Sequence, residues 1–296
     1  MKILVTGGAG FVGTNLIKRL LKEGHEVTSI DNYSTGLKIN HQEGCHYKEA
    51  NIYDFDWRTE IYDIVFHMAA VARIQPSFEN PLEYFNTNAN GTMQLAEHCA
   101  KHKIPIIYAG SSSHHSGRYK NPYTFSKDIG EEALELFSKC FDLKYAIARF
   151  YNVYGPYQLT EGGYTTLIGR WVNNIEKGLS CEIYGDGEQR RDFTHVDDIV
   201  DALIKIMEPF DKTWIWERKA FLNKVFELGR GKNISVNEVA KMFEINPIYK
   251  EAKPGEARNT LCRFSLAKEI LDWNPQRELV HYIENFKNEN KFYTTK

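Results

Sequence analysis

The sequence has no long apolar run, no excess of positive charge and no clustered cysteines. No apolar stretch approaches the ~18 residues that a membrane-spanning helix needs, so we expect no membrane association. The 37 Lys and Arg residues are matched by 39 Asp and Glu residues. This balance disfavours a nucleic-acid binder, which needs a basic excess to displace counterions from phosphates. Internal repeats and low-complexity tracts are also lacking.

The five cysteines are scattered, odd in number and free of any CxxC pair, a pattern more typical of reduced thiols than of a disulfide framework. The N-terminal segment turns glycine-rich at Gly7, too early for the ~7–15-residue apolar core of a signal peptide. We therefore expect a cytoplasmic protein. With 296 residues, the chain can form one large domain or two close-packed ones.

Short apolar runs alternate with amphipathic segments of helical length, which predicts an α/β fold with a doubly wound parallel sheet. The predicted strands are Ile3–Thr6, Glu26–Ile30, His46–Ala50, Asp63–Met68, Ile104–Ala109 and Lys144–Phe150. The predicted helices of this part are Phe11–Lys22, Leu82–Lys101 and Tyr123–Cys140.

The alternation of predicted strands and helices becomes irregular after Gly155-Pro156, which favours a second, smaller α/β lobe. We predict a sheet domain over residues 1–155, a return of the chain to it around 191–208, and a lobe formed mostly by 156–296. We interpret the segment Phe210–Lys224, with Trp214 and Trp216, as an inserted loop. The remaining predicted elements are Thr166–Lys177, Cys181–Tyr184, His195–Met207, Val236–Phe243, Ser265–Leu271 and Val280–Glu289.

A glycine-rich turn, TGGAGFVG over residues 6–13, follows the first predicted strand and opens a helix. Gly7 permits the turn, Gly10 lets the backbone approach a diphosphate, and Gly13 lets the helix pack on the sheet. The helix N-terminus also attracts an anion. Asp31 stands 24 residues after Gly7, where a carboxylate accepts ribose hydroxyls, and the segment Asn32–Gly36 has no Arg for a 2′-phosphate. The pattern favours NAD over NADP; a tight turn that binds nothing is the alternative.

Tyr123 and Lys127 lie one helical turn apart on a predicted helix. A nearby cation stabilises a phenolate and makes the phenol a usable base. Tyr249 and Lys253 repeat the spacing, so the spacing alone does not indicate catalysis. The position of the first pair does, because this pair follows the fifth predicted strand. The carboxyl end of that strand carries the run SSS, residues 111–113. Sheets of this kind bind ligands at that edge. The alternative is an exposed Tyr/Lys pair beside a polar loop.

Taken together, the motifs resemble the extended short-chain dehydrogenase/reductase superfamily, in particular its nucleotide-sugar epimerase/dehydratase branch and the UDP-glucose 4-epimerases within it. The resemblance covers most of the chain. The matching motifs are TGGAGFVG (6–13), DNYSTG (31–36), HMAA (67–70), NANGT (88–92), SSS (111–113), YTFSK (123–127), RFYNVYGP (149–156), YGDGEQRRDFTHVDD (184–198) and KPGEARNT (253–260).

The resemblance implies a role for each of these positions. Tyr123 would be the base, Lys127 would lower its pKa and bind the nicotinamide ribose, and Ser113 would hold the reacting hydroxyl. The implied substrate residues are Ser113, Asn152, Tyr184, Arg191 and Thr260. The implied NAD-binding residues are Gly7, Gly10, Phe11, Val12, Gly13, Asp31, Asn32, Ser34, Thr35, Asn51, Ile52, Met68, Ala69, Ala70, Asn88, Ser111, Tyr123, Lys127 and Phe150.

The implied reaction is the NAD-dependent epimerisation of a nucleotide sugar at C4 through a transient 4-keto sugar, with UDP-glucose as the expected substrate. No metal is expected. The resemblance further implies a homodimer that pairs the helices Leu82–Lys101 and Tyr123–Cys140. Thr260 is small, and in 4-epimerases its position faces C2 of the sugar. The hypothesis follows that an N-acetyl group fits and that UDP-GlcNAc is also accepted.

Two departures from the family pattern keep other functions open. Only nine residues separate Ser113 from Tyr123, and His114 and His115 stand in this short stretch, where they could be loop residues or touch the substrate. Cys262-Arg263 replaces the usual Ala-Asp. A 4,6-dehydratase or a decarboxylase would carry acidic residues directly after the serine, so His114 and His115 lower both ideas. A non-catalytic NAD sensor or scaffold is the rival from another class.

Overall fold

The computed structural model describes residues 1–59, 61–210, 222–263 and 266–289. The strands are β1 (Lys2–Thr6), β2 (Glu26–Asp31), β3 (Cys45–Glu49), β4 (Ile64–His67), β5 (Ile106–Ser111), β6 (Tyr145–Phe150), β7 (Val153–Tyr154), β8 (Glu182–Tyr184), β9 (Arg190–Arg191), β10 (Thr194–His195), β11 (Lys224–Leu228), β12 (Ile234–Ser235) and β13 (Ile248–Lys250). The α-helices are α1 (Phe11–Lys22), α2 (Ile74–Glu79), α3 (Pro81–Tyr84), α4 (Thr92–His102), α5 (Pro122–Phe141), α6 (Leu167–Glu176), α7 (Val196–Met207), α8 (Val236–Phe243), α9 (Leu266–Leu271) and α10 (Leu279–Glu289).

Seven parallel strands form the central sheet in the order β11-β6-β5-β4-β1-β2-β3. From β1 the chain runs outward to β3, then crosses back to place β4 on the other side of β1. The order therefore reverses between β1 and β4, and such a switch point opens a crevice at the carboxyl ends of the strands. The predicted doubly wound α/β fold is confirmed.

Side chains of β1 alternate between the two faces of the sheet, as the two-residue period of a strand requires. Ile3 and Val5 pack with α1 and α7 on one face, and Leu4 packs with α4 and α5 on the other. All three are buried. Each face is thus covered by helices, which explains why the strands read as short continuous apolar runs.

The structure differs from the sequence prediction in two elements of the sheet domain. A seventh strand, β11, pairs with β6 although it lies far along the chain, in the part assigned mostly to the smaller lobe. The predicted helix Leu82–Lys101 is divided into α3, a π-helical segment (Phe85–Gly91) and α4. Such π-helical segments are frequent at functional sites.

A third apolar cluster lies outside the sheet and is built around Trp171 of α6. Its buried ring packs edge-on against Phe243 of α8. The division at residue 155 stays a prediction. The predicted loop with Trp214 and Trp216 falls on residues 211–221, which lie outside the described ranges. None of the helices within those ranges combines the length and apolar character needed to traverse a bilayer.

Candidate active site

A cavity of about 380 Å³ opens at the carboxyl edge of the sheet, at the switch point between β1 and β4. Its wall includes the loop after β1, the ends of β2, β4, β5 and β6, the start of α5 and residues beyond 190. The predicted site residues that line it are Gly7, Gly10, Phe11, Val12, Gly13, Asp31, Asn32, Ser34, Thr35, Asn51, Ile52, Met68, Ala69, Ala70, Ser111, Ser113, Tyr123, Lys127, Phe150, Asn152, Arg191 and Thr260.

Two positions of the glycine-rich turn have no room for a Cβ atom. Gly7 has φ +71°, and a Cβ there would lie 2.7 Å from backbone atoms of Ala69. A Cβ at Gly13 would lie 2.2 Å from the carbonyl oxygen of Gly7. The turn consequently brings the first turn of α1 against the end of β1, as close helix–sheet packing demands.

The N-terminus of α1 is open toward an anion. Gly10 occupies the N-cap without a side chain to bond the free N–H groups, and no acidic residue stands in the first turn. Both Gly10 and Phe11 line the cavity. Unsatisfied N–H groups together with the helix dipole suit this end of α1 to an anion such as a diphosphate.

Asp31 ends β2 at the cavity wall, and its side chain is fixed by backbone donors. The amides of Ala9 and Tyr33 donate to the carboxylate at 2.9 and 2.8 Å. Burial raises the pKa of Asp31, and these two hydrogen bonds oppose that rise. A carboxylate accepts up to about four hydrogen bonds, so acceptor sites remain on Asp31 for ribose hydroxyls.

Tyr123 and two serines converge at the end of β5. Burial raises the pKa of the Tyr123 phenol, and the Ser111 side chain opposes that rise. The Ser111 hydroxyl oxygen accepts the backbone N–H of Ser113 at 3.2 Å. The Ser113 hydroxyl is shielded from solvent and makes no hydrogen bond within the described residues. Because a buried hydroxyl is costly to leave unpaired, the Ser113 hydroxyl is available to hydrogen-bond a ligand in the cavity.

Lys127 is buried one turn further along α5 and lines the same cavity. Its Nζ lies 3.9 Å from the centre of the Tyr108 ring, a cation–π contact. Burial lowers the pKa of Lys127 to about 7, against the opposing charges of Glu131 and Asp128. The lysine is therefore held beside an aromatic face in a desolvated position.

Arg73 is a cavity residue that the sequence analysis missed. Its pKa is lowered by burial, and Tyr123 and then Glu256 oppose that shift. In turn, burial raises the pKa of Tyr123, while Ser111 and the Arg73 charge draw it back. Arg73 and Tyr123 thus line the same cavity. No local spacing links these two residues, so only the fold could bring them together.

At the other end of the cavity, Arg191 and two polar residues form the wall. The Arg191 guanidinium approaches the Glu256 carboxylate at 3.5 Å, and its side chain is mostly buried. Asn152 donates to the Thr260 hydroxyl at 2.8 Å, and the amide of Asp192 donates to the same oxygen at 3.2 Å. Glu256 was not predicted from the sequence as a site residue.

Asn88 does not line the cavity, contrary to the prediction. Its side chain is buried in the π-helical segment and bonds both backbone groups of Val71, at 2.9 Å each. It also donates to the Ser126 hydroxyl at 3.0 Å. Because Val71 does belong to the wall, Asn88 supports that wall from behind rather than facing a ligand.

Tyr184 also stands apart from the cavity. Its hydroxyl donates to Glu182 at 2.7 Å, and Lys253 Nζ lies 3.7 Å from the centre of its ring. The ring is half-buried between these charged neighbours. In this structure Tyr184 therefore packs within the β8–β13 pair instead of lining the site.

His114 and His115 turn away from the cavity into ion pairs. His114 Nδ1 lies 2.9 Å from an Asp128 oxygen, and His115 Nε2 lies 2.8 Å from a Glu227 oxygen. Neither histidine belongs to the cavity wall. The interpretation of these histidines as loop residues fits this geometry, and a contact with the substrate does not.

One group in the described residues has metal-ligand spacing: His114, Asp128 and Glu131. Glu131, however, is already bonded by Arg149, with contacts of 2.5 and 3.0 Å. His114 already bonds Asp128. The group is therefore an ion-pair network with its acceptors engaged.

The comparisons with known proteins agree with this geometry. A family model described as the NAD dependent epimerase/dehydratase family matches residues 3–216. A putative UDP-glucose 4-epimerase of Methanocaldococcus jannaschii is 31% identical, with 97% of both chains covered. The UDP-glucose 4-epimerase structure of Thermotoga maritima has a TM-score of 0.87 at 29% identity, covering 98% and 99% of the two chains.

A UDP-glucuronic acid 4-epimerase of Bacillus cereus, solved with UDP-glucuronic acid and NAD, has a TM-score of 0.87 at 25% identity and 99% coverage of both chains. The chain belongs to the NAD-dependent epimerase/dehydratase family. The resemblance drawn from its motifs is confirmed, it is an enzyme of the UDP-sugar epimerase type, and its cofactor is NAD.

The residues present fit that cofactor. The open N-terminus of α1 suits its diphosphate, Asp31 suits the adenosine ribose, and Ile52 offers a buried apolar surface for adenine. Lys127 and Tyr123, both on α5, line the same cavity. Bound NAD would supply hydride-transfer chemistry at this place.

Proposed function

We propose that this enzyme epimerises UDP-glucose and UDP-galactose at C4 through a transient 4-keto sugar. The observation that carries the proposal is the convergence of the Tyr123 phenol, the unpaired Ser113 hydroxyl and buried Lys127 in the cavity that fits NAD. Oxidation and re-reduction of one carbon need a base, a hydroxyl-orienting donor and the cofactor at a single place.

In this mechanism Tyr123 takes the proton of the sugar O4 hydroxyl as C4 is oxidised and gives it back on reduction. Ser113 holds the same oxygen, because its hydroxyl has no protein partner among the described residues. Lys127 lies in reach of the cofactor end of the cavity and would bind the nicotinamide ribose. Each residue thus handles a proton or an orientation at a named atom.

The 4-keto sugar must turn over in the site while the nucleotide diphosphate stays bound. Arg191 is suited to hold the diphosphate, and its contact with Glu256 fixes the guanidinium at the wall. Asn152 would assist. Tyr184 lies outside the cavity wall, so stacking of its ring on the nucleotide base would require the β8–β13 region to move.

We further propose that UDP-GlcNAc is accepted. Thr260 is a small residue of the cavity wall, and its hydroxyl is engaged by Asn152 and by the amide of Asp192. An aromatic ring at this position would fill space beside C2 of the sugar, whereas Thr260 leaves that space open.

The rival reactions need a different group beside Ser113. A 4,6-dehydratase or a decarboxylase of the family would carry an acid there, and this chain has His114, which points to Asp128 outside the cavity. A non-catalytic NAD sensor would have no use for the unpaired Ser113 hydroxyl. Epimerisation is therefore the reaction that these residues favour.

The test is to incubate the purified protein with UDP-glucose, UDP-GlcNAc and UDP-glucuronate separately and to identify the products by NMR. The proposal expects UDP-galactose from UDP-glucose. A 4-keto-6-deoxy sugar would establish a dehydratase, a pentose with CO₂ from UDP-glucuronate would establish a decarboxylase, and no change in any substrate would favour the sensor.

A homodimer and a cytoplasmic location complete the proposal. Leu136 on α5 and Met93 on α4 are exposed apolar residues on neighbouring helices. Leu82 and Phe141 extend the apolar surface toward α3 and the end of α5. A second copy of the chain would cover this face. All five cysteines are free, which suits a reducing compartment.

A further inference from the structure

Arg73 has a backbone conformation that residues other than glycine rarely adopt. Its φ is +87° and its ψ is 143°, directly before the first turn of α2. Such conformations persist only where the surrounding structure over-determines them, and they are frequent at functional sites. The buried Tyr84 provides the restraint, because its hydroxyl donates to the carbonyl oxygens of Ala72 and Arg73 at 2.9 and 3.0 Å. The Tyr84 ring also packs edge-on against the Tyr123 ring, with 6.2 Å between centroids, and so connects the Arg73 backbone to the ring of the proposed base.

The Arg73 guanidinium is held at one nitrogen only. Arg73 and Tyr164 both line the cavity, and the Arg73 Nε donates to the carbonyl oxygen of Tyr164 at 3.0 Å. Neither terminal nitrogen of Arg73 has a hydrogen-bond or ion-pair partner within the described residues. Burial lowers the pKa of Arg73, because a desolvated cation is unfavourable. An anion bound in the cavity would offset that cost.

The segment after Arg73 leads to the diphosphate end of the cavity. The Gln75 side chain donates to a Glu256 carboxylate oxygen at 3.2 Å, and the other side of Glu256 lies 3.5 Å from the Arg191 guanidinium. Arg73 therefore belongs to the part of the wall between Tyr123 and Arg191. In the proposed function the sugar spans this distance, since its O4 lies at Tyr123 and its C1 carries the diphosphate at Arg191.

The free edge of Arg73 suits a carboxylate rather than a second diphosphate. The open N-terminus of α1 already fits the diphosphate of NAD, and Arg191 fits that of the substrate. Glu256 is engaged by Arg191 and by Gln75, so it leaves the terminal nitrogens of Arg73 unoccupied. Two adjacent terminal nitrogens match the two oxygens of one carboxylate. In a uronic acid such a carboxylate is C6, attached to the carbon next to C4.

We propose that Arg73 binds the C6 carboxylate of a nucleotide-linked uronic acid, so that the enzyme also interconverts UDP-glucuronate and UDP-galacturonate. This inference rests on the proposed function, because it uses the same base and the same transient 4-keto sugar. The carboxylate does not react: C4 loses and regains a hydride, O4 loses and regains a proton, and C6 is unchanged. UDP-glucose is still accepted, since its C6 hydroxyl oxygen accepts a hydrogen bond from one of the two nitrogens.

The direct test is a binding measurement that needs no turnover. Isothermal titration calorimetry of the NAD-loaded Tyr123→Phe protein gives Kd for UDP-glucuronate, UDP-glucose and UDP without product formation. UDP-glucuronate should bind more tightly than UDP-glucose, because its carboxylate forms a charge-assisted pair. Adding Arg73→Gln should weaken the binding of UDP-glucuronate by about 10-fold or more and change Kd for UDP-glucose and UDP by less than about 2-fold.

Two further variants serve as controls. Arg73→Lys keeps the charge without the planar pair of donors and should recover part of the lost affinity for UDP-glucuronate. Arg118→Gln removes an arginine outside the cavity wall and should leave all three Kd values unchanged.

Three outcomes overturn the proposal. Equal weakening of UDP and both sugars in Arg73→Gln would assign Arg73 to the diphosphate. An unchanged Kd for UDP-glucuronate in that variant would remove Arg73 from binding. UDP-glucuronate that binds no more tightly than UDP-glucose before Arg73 is changed would also refute the proposal, and this comparison needs no Arg73 variant to fold.

Turnover separates this inference from the proposed function. With the wild-type enzyme, NMR should show UDP-galacturonate formed from UDP-glucuronate. Arg73→Gln should lower kcat/KM for UDP-glucuronate by about 10-fold more than for UDP-glucose. Conversion of UDP-glucose but not of UDP-glucuronate contradicts the inference alone. If the wild type converts no substrate, the proposed function fails, while the comparison of Kd values still decides the role of Arg73.

Discussion

Tyr123 is the residue on which the proposed chemistry depends. Replacing it by Phe removes the proton acceptor but keeps the ring that packs against Tyr84. We expect Tyr123→Phe to keep bound NAD and to lose turnover by about 10²–10⁴-fold, the usual contribution of a general base. Product formation is followed by NMR, and NAD is measured after denaturing the purified variant.

Tyr249→Phe is the matched control, because Tyr249 repeats the spacing to a lysine, Lys253, on an exposed strand away from the cavity. It should turn over at the wild-type rate. Wild-type turnover in Tyr123→Phe would remove this residue from the mechanism.

A second prediction about a single residue concerns Thr260 in the cavity wall. Thr260→Tyr should abolish or weaken the turnover of UDP-GlcNAc by about 10-fold or more while UDP-glucose is still converted, because the ring fills the space beside C2. The measurement is kcat/KM for both substrates.

The control for this substitution is Thr260→Ala, which removes the hydroxyl bonded by Asn152 without adding volume. It should affect both substrates equally. Equal losses for the two substrates in Thr260→Tyr would show that Thr260 does not select by size.

Helices α4 and α5 lie side by side against one face of the sheet, and their outer faces expose single apolar residues among charged ones. On α5, Leu136 is 57% exposed, and on α4, Met93 is 39% exposed. A charge placed at the centre of a homodimer contact is desolvated without a partner, so Leu136→Glu should shift the protein from dimer toward monomer. Light scattering coupled to size exclusion gives the mass.

Leu179→Glu serves as the comparison, since Leu179 has the same 57% exposure in the loop after α6, far from these helices. Its mass should equal that of the wild type. If Leu136→Glu leaves the mass of the wild type unchanged, the dimer does not use α5.

At the scale of the whole molecule, an ion-pair network ties together elements that are distant in sequence. Arg149 on β6 bonds Glu131 on α5 and Glu227 on β11, at 2.5 and 3.0 Å. His115, in the loop after β5, bonds the same Glu227 at 2.8 Å. The network thus joins the 3-10 helix Ser112–Ser116, which follows β5, to the seventh strand of the sheet.

The network gives the stability a defined pH dependence. The hydrogen bond to Glu227 raises the pKa of His115, so its stabilising effect is present below about pH 6.5 and is lost as pH rises through the folded-state pKa. Burial raises the pKa of Glu227, but His115 and Arg149 bring it below its ordinary value. Its contribution is therefore present above about pH 4.5 and is lost as pH falls through the lowered pKa.

Both contributions are present together between about pH 4.5 and pH 6.5. His115→Gln should lower Tm most near pH 5.5 and progressively less as pH rises through the folded-state pKa of His115. Thermal unfolding across this range is the measurement. His46→Gln, at an exposed histidine without an ion pair among the described residues, should show no such trend. A difference in Tm that is constant with pH would refute the role of the His115–Glu227 pair.

Much of this molecule could be predicted from local sequence. The bounds of α1 and α8 agree with the prediction, since apolar periodicity and capping residues are local signals. Three further signals are local: the turn at Gly7, the carboxylate of Asp31 and the Tyr123/Lys127 spacing. Each involves only a few residues or one strand–helix unit. The sequence by itself therefore determined the doubly wound sheet, NAD and the expected base.

Only the tertiary structure decided the contacts between distant segments. It brought Arg73 into the same cavity wall as Tyr123, and it turned His115 toward Glu227, 112 positions away. It also added β11 beside β6 and put Asn88 behind the wall. Pairing across such separations depends on how strands order in the sheet and which side chains share its edge. No periodicity or spacing along the chain encodes that arrangement, because it arises from packing the whole core at once.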